Sequence, residues 1–168
     1  MGLANKITFL RIICIPVFIL IFLSNLPYRA LISTGVFILL ALTDGLDGYI
    51  ARKRHEITRL GIFLDPLADK LLVSAALIFL IGYGVEAWMV FLIIAREFAI
   101  MGLRISASIY KVDIKASILG KLKTLSQIIG IVLVLIKFPY AWWFMLLAVI
   151  MTLLSGVQYL YNFRKFLA

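Results

Sequence analysis

Four aspartates stand close together in an otherwise apolar chain: Asp44, Asp47, Asp65 and Asp69. The first pair is spaced i,i+3 and the second i,i+4, so on helices each pair shares one face. The segment joining the pairs is short, which makes the two helices antiparallel neighbours. The four carboxylates then converge at one depth. Unpaired, so many anions would be forced to protonate or to unfold the chain. An all-oxygen cage suits hard divalent ions, Mg2+ or Mn2+, and two such ions can be shared by four carboxylates. The competing reading is loop-end charge in water. The helical phase and the apolar flanks argue against it.

Small residues share the stripes. Asp44, Gly48 and Arg52 form one i,i+4 row, Asp47 and Ala51 the next, and Gly61, Asp65 and Asp69 a third. Gly48, Ala51 and Gly61 leave space against the metal face. A ligand filling that space is the reading adopted for Gly48 and Gly61. Close helix packing through small residues is the alternative, and it accounts for Gly82, Gly84, Gly130 and Gly156. Glu56, Glu86 and Asp113 are read as solvated charges, and His55 as a solvated loop residue. Cys14, the single cysteine, is read as a core residue and excludes a disulfide within the chain.

The elements that position these residues follow from composition. The chain has 168 residues, 64% of them apolar, and a mean hydropathy of +1.12. A soluble domain is about 45–50% apolar, so a soluble enzyme, a secreted module and a disordered binder are all excluded. Six helices of about 20 residues each would use nearly the whole length. The expectation is an all-α integral membrane protein, a single domain over residues 1–168, preceded by a short interfacial N-terminal segment. The helices are drawn over residues 7–23, 30–52, 59–83, 86–109, 118–137 and 140–163, with Pro16 a candidate kink in the first. Asn25-Leu26-Pro27, Gly82-Tyr83-Gly84 and Lys137-Phe138-Pro139 supply turn residues. The start imitates a signal peptide but lacks a small-x-small cleavage site, so an uncleaved first helix fits better.

Charge sets the orientation. Lys6, Arg11, Arg52, Lys53, Arg54, Arg59, Lys111, Lys115, Lys121, Lys123, Arg164 and Lys165 fall at one set of helix ends, and only Arg29 and Lys137 at the other. The positive-inside rule places both termini and the aspartate loop in the cytoplasm. The net charge of +9 suits anionic lipid headgroups or a phosphorylated soluble substrate, and needs no nucleic acid.

Read as a string, Asp44-x-x-Asp47-Gly48-x-x-Ala51-Arg52, eight residues, Gly61, three residues, Asp65, three residues, Asp69 resembles the complete motif of the CDP-alcohol phosphotransferases. Asn5-x-x-Thr8-x-x-Arg11 is similar to the family's opening, with Ala4 where Pro is common. Arg96-Glu97-Phe98, Gly102-Leu103-Arg104, Gly120-Lys121-x-Lys123-Thr124 with Gln127, and Leu154-Ser155-Gly156 with Tyr159 and Tyr161 resemble bacterial members that use glycerol 3-phosphate. The resemblance implies a six-helix enzyme of the bacterial cell membrane, a homodimer with a two-metal site facing the cytoplasm. It implies transfer of a phosphatidyl group from CDP-diacylglycerol to glycerol 3-phosphate, with release of CMP.

On that resemblance Asp69 is the base for the acceptor hydroxyl as well as a metal ligand. Asn5, Thr8, Arg11, Gly48, Ala51, Arg52 and Gly61 flank the CDP-lipid. Arg96, Arg104, Lys121 and Lys123 are candidates for the acceptor phosphate, because arginine suits bidentate phosphate contacts and an arginine at membrane depth needs an anion. Pairing with Glu97, or snorkelling to the surface, is the competing account of these cations. Lys111 and Lys115 are read as surface charges. Two rival functions stand beside this one. The first is another acceptor within the family: inositol phosphate, serine or phosphatidylglycerol. The second is a divalent-cation or proton transporter, against which no acidic relay crosses the remaining helices.

Overall fold

The computed structural model describes the backbone of residues 3–54, 59–109 and 117–167 and the side chains of residues 7–43, 66–107 and 117–164. Six helices follow in order: α1 (Leu3–Leu23), α2 (Arg29–Arg54), α3 (Arg59–Phe79), α4 (Ala87–Ile109), α5 (Ile118–Leu135) and α6 (Ala141–Leu167). The described residues contain no strand beyond one isolated bridge between Ile81 and Val85. α1 begins four residues before the expected start, so Asn5 lies within it and no separate N-terminal element precedes it among the described residues. It also runs on as helix through Pro16. α3 ends before the expected Tyr83, because Gly82 and Gly84 take φ of +84° and +106°, a region open to glycine and costly to other residues.

The chain divides into two compact units, Met1–Leu80 and Ile81–Ala168. In the first, α1 packs on α2 and α3, and α2 on α3. The buried face of α1 is Thr8, Arg11, Ile15, Phe18 and Phe22, a row at helical spacing. Phe18 meets Phe37 of α2 at 5.9 Å between ring centroids. Ala68, Leu72, Ala76 and Leu77 of α3 complete this core. The opposite side of α1 exposes Leu10, Ile13, Val17 and Leu20. A bare apolar face of this kind belongs in lipid, where exposure of leucine carries no penalty. Cys14, expected in the core, is half-buried at the edge between these faces.

In the second unit, α5 and α4 each pack on α6. α6 buries Met145, Ala148, Val149, Thr152, Ser155 and Tyr159. Gly130 lets α5 approach closely: a Cβ there would stand 2.7 Å from Met145 Sδ and 3.6 Å from Met145 Cα. α5 starts on a Ser117 cap whose hydroxyl accepts from the Gly120 amide. It ends where Phe138 N–H donates to Leu133 O and Lys137 N–H to Val134 O, with Lys137 at φ +56°. This is a Schellman ending with lysine in the left-handed position that glycine normally takes. Both α5 and α6 are long and apolar enough to cross a membrane.

Glu86, expected as a solvated charge, is exposed, and it also clasps the starts of α4 and α6. Trp142 Nε1 donates to Oε1 at 2.8 Å and Trp88 Nε1 to Oε2 at 2.6 Å. The two indoles, Trp142 first and then Trp88, hold its carboxyl below the usual glutamate range, since both bonds favour the ionised form.

Candidate active site

The aspartate motif falls on two helices that pack together. Asp44, Asp47, Gly48, Ala51 and Arg52 are on α2, and Gly61, Asp65 and Asp69 on α3. The helical backbone therefore puts Asp44 and Asp47 on one face of α2, and Asp65 and Asp69 on one face of α3. The convergence of the four carboxylates lies outside the described side chains, of which Asp69 alone is one. Its carboxyl is about one-third exposed, and Lys70 Nζ lies 3.6 Å from Asp69 Oδ2. The donor set on these helices is carboxylate oxygen throughout, which fits hard divalent cations rather than metals that select thiolate or imidazole.

Of the residues expected near the CDP-lipid, Thr8 and Arg11 occupy the buried face of α1 that packs against α2 and α3. Arg11 is 1% exposed, and its Nε donates to Thr43 Oγ1 at 3.3 Å. Thr43 immediately precedes Asp44, so this bond ties the α1 candidate to the start of the motif. Thr43 was not singled out from sequence. A hydroxyl beside the first aspartate, one helix from a basic residue, was the available signal. The side chains of Asn5, Gly48, Ala51, Arg52 and Gly61 lie outside the described residues.

The four acceptor candidates divide. Arg96 and Lys123 come together on one carboxylate, Glu97, while Arg104 and Lys121 stand apart from that group. Met89, Ile93, Glu97 and Ile100 make the buried row of α4, and Lys123, Gln127, Ile131 and Val134 that of α5. Thr152 and Ser155 sit on the matching row of α6. The polar members of the three rows fall in one layer. Lys123 Nζ donates to Glu97 Oε1, and Arg96 Nη1 and Gln127 Nε2 donate to the same oxygen at 3.3 Å each. Gln127 Nε2 also donates to Thr152 Oγ1 at 2.8 Å, and Arg96 Nη2 to Ser155 Oγ at 2.8 Å. Glu97 and Lys123 are 5% and 8% exposed. Gly156 makes room for the arginine, since a Cβ there would stand 3.2 Å from Arg96 Cγ.

Arg104 is exposed, with its guanidinium carbon 5.9 Å from the centre of the buried Tyr159 ring, within cation–π range. Lys121 is exposed in the first turn of α5. It lies two residues from Lys123, and hence on the other side of the helix. Sequence reasoning named Glu97 within the Arg96-Glu97-Phe98 string and as a pairing partner for the cations, and gave it no role of its own. Its place on the buried row of α4, four residues beyond Ile93, was the signal for a central role.

Comparison with known proteins bears on this arrangement. The family model for CDP-alcohol phosphatidyltransferase matches residues 1–154, and the chain belongs to that family. It is 42% identical to the CDP-diacylglycerol--glycerol-3-phosphate 3-phosphatidyltransferase of Bacillus subtilis, over 94% of this chain and 93% of the relative. The proteins of the same name from Rickettsia bellii and Pseudomonas fluorescens are 42% and 35% identical. These matches cover 77% and 95% of this chain, and 72% and 89% of the relatives. With two membrane-capable helices and this family, the chain is a membrane-embedded enzyme.

Proposed function

We propose that the chain transfers a phosphatidyl group from CDP-diacylglycerol to sn-glycerol 3-phosphate, giving phosphatidylglycerophosphate and CMP. The observation that carries this reading is the identity, over most of its length, with relatives that bear that activity in their names. The complete aspartate motif on two packed helices supports it.

Asp44, Asp47, Asp65 and Asp69 would hold two divalent ions, Mg2+ or Mn2+, which when bound supply positive charge to the pyrophosphate. Asp69 takes the proton of the acceptor's hydroxyl as that oxygen attacks the phosphorus bearing the diacylglycerol. The bond from that phosphorus to the CMP oxygen breaks, and CMP leaves. Asn5, Thr8, Arg11, Gly48, Ala51, Arg52 and Gly61 bind the nucleotide end of the lipid. Arg11 is preset for this by its bond to Thr43. Arg96 and Lys123 orient the acceptor's phosphate, and the exposed Arg104 and Lys121 attract it. An acceptor without a phosphate, such as serine, would draw less on these cations.

The six helices are proposed as six spans of the bacterial cell membrane, with both termini and the catalytic residues at the cytoplasmic side. The whole chain would act as one catalytic domain and pair as a homodimer. This topology brings a bilayer-borne donor and a water-borne acceptor to one surface. The test is CMP release by purified protein in lipid nanodiscs, with CDP-diacylglycerol, Mg2+ or Mn2+, and each acceptor in turn. Glycerol 3-phosphate is expected to support release. If it fails while inositol phosphate, serine or phosphatidylglycerol succeeds, the acceptor assignment is wrong.

A further inference from the structure

We propose that Glu97 is a positioning residue for the acceptor: it holds the cationic ends of Lys123 and Arg96 in place for the phosphate of glycerol 3-phosphate. The inference rests on the acceptor reading above and goes beyond it, because Glu97 itself need not touch substrate.

The geometry argues for more than structural glue. One carboxylate engages cations from two helices, Arg96 on α4 and Lys123 on α5. The network reaches α6 twice, from Arg96 to Ser155 and from Glu97 to Thr152 by way of Gln127. Glu97 is thus the joint at which all three helices of the second unit meet in polar contact. The trio of Glu97, Arg96 and Lys123 carries two positive charges and one negative. A joint meant only to hold helices together needs one cation per carboxylate. Among the described contacts, two cations share this one carboxylate, an excess of positive charge that suits a phosphate.

Arg96 also retains donor capacity. Its Nε is buried and has no hydrogen-bond partner among the described residues, an arrangement disfavoured unless another acceptor arrives. Farther along the same pair of helices, Arg104 lies over the ring of Tyr159. Tyr159's own hydroxyl is likewise buried without a partner. Both donors belong to the α4–α6 face that carries the cations.

Without Glu97, the buried Lys123 would be expected to swing its long stem toward water. The loss of the carboxylate's negative charge by itself would strengthen attraction for phosphate. The loss of placement works the other way and is the larger effect, because an ammonium that leaves the layer contributes nothing to a bidentate pocket.

The experiment measures kcat and KM for both substrates in the wild type, Glu97→Gln, Glu97→Asp, Lys123→Met and the double variant Glu97→Gln/Lys123→Met. Glu97→Gln is expected to raise KM for glycerol 3-phosphate about tenfold, the effect of losing one charge-assisted contact. KM for CDP-diacylglycerol should stay within about twofold. Glu97→Asp should recover part of the loss. The double variant should cost less than the sum of the two single changes, because both remove the placement of Lys123 and only that of Arg96 is left to lose. If Lys123→Met raises the glycerol 3-phosphate KM and Glu97→Gln leaves it unchanged, or moves both KM values together, the positioning role is overturned. If Lys123→Met, and Arg104→Ala beside it, leave that KM unchanged, the acceptor reading has failed and takes this inference with it. Should Glu97→Gln not fold, Glu97→Asp decides: a rise in the glycerol 3-phosphate KM alone supports the proposal, and equal changes for both substrates overturn it.

Discussion

Asp44→Asn changes one oxygen to an amide and leaves the side chain's shape intact, which makes it a clean probe of the proposed metal centre. Loss of an anionic donor should lower kcat by about 100-fold or more at every pH. Added Mg2+ or Mn2+ should recover little of it. CMP release at saturating substrate measures this, and near-normal turnover would remove Asp44 from the site. A gentler probe is Gly156→Ala. The new methyl would crowd Arg96 at 3.2–3.3 Å, and that arginine is held at its far end by Ser155 and Glu97. Alanine also gains about 1 kcal/mol of helix propensity over glycine. The two effects should leave thermal stability nearly unchanged. The displaced guanidinium should raise the glycerol 3-phosphate KM a few-fold, which steady-state kinetics at fixed CDP-diacylglycerol would detect.

At the scale of elements, two helix ends invite tests. Lys137 sits at φ +56° in the ending of α5, a conformation that costs a non-glycine residue about 1 kcal/mol. Lys137→Gly should therefore raise the stability of the detergent-solubilised protein by up to about 1 kcal/mol, read as a higher thermal midpoint. The Glu86 clasp predicts a pH dependence with a definite sign. Its carboxyl titrates lower in the folded protein than in the unfolded chain, so its contribution is complete above the ordinary glutamate range. It is lost as pH falls through the lowered folded-state value. Thermal midpoints of wild type and Glu86→Gln should differ at neutral pH and converge only in acid. A constant difference from neutral to acid pH would show that the two indole bonds do not depend on the charge.

For the whole molecule, the apolar periodicity and turn residues made all six helices legible, with ends displaced by a few residues where φ-positive glycines or an early start intervened. The aspartate motif was legible because a helix converts spacing directly into a shared face. Contacts between distant residues were not. Glu86 meets Trp142 56 positions away, and Gln127 meets Thr152 25 positions away. No local pattern encodes partners that only helix packing selects. The layer around Glu97 has a further consequence for how the protein is made. Each charged residue at the centre of a span costs about 2.5–3.5 kcal/mol to insert alone, and α4 carries Arg96, Glu97 and Arg104. α5 and α6 are each long and apolar enough to cross a membrane alone. In the six-span topology, α4 should therefore lodge stably in the bilayer only once the following helices emerge from the ribosome and offer it partners. Nascent chains halted before α5 should leave α4 accessible to water-soluble thiol reagents at an introduced cysteine. Chains released after α6 should protect it, making the last third of the polypeptide the chaperone of the middle.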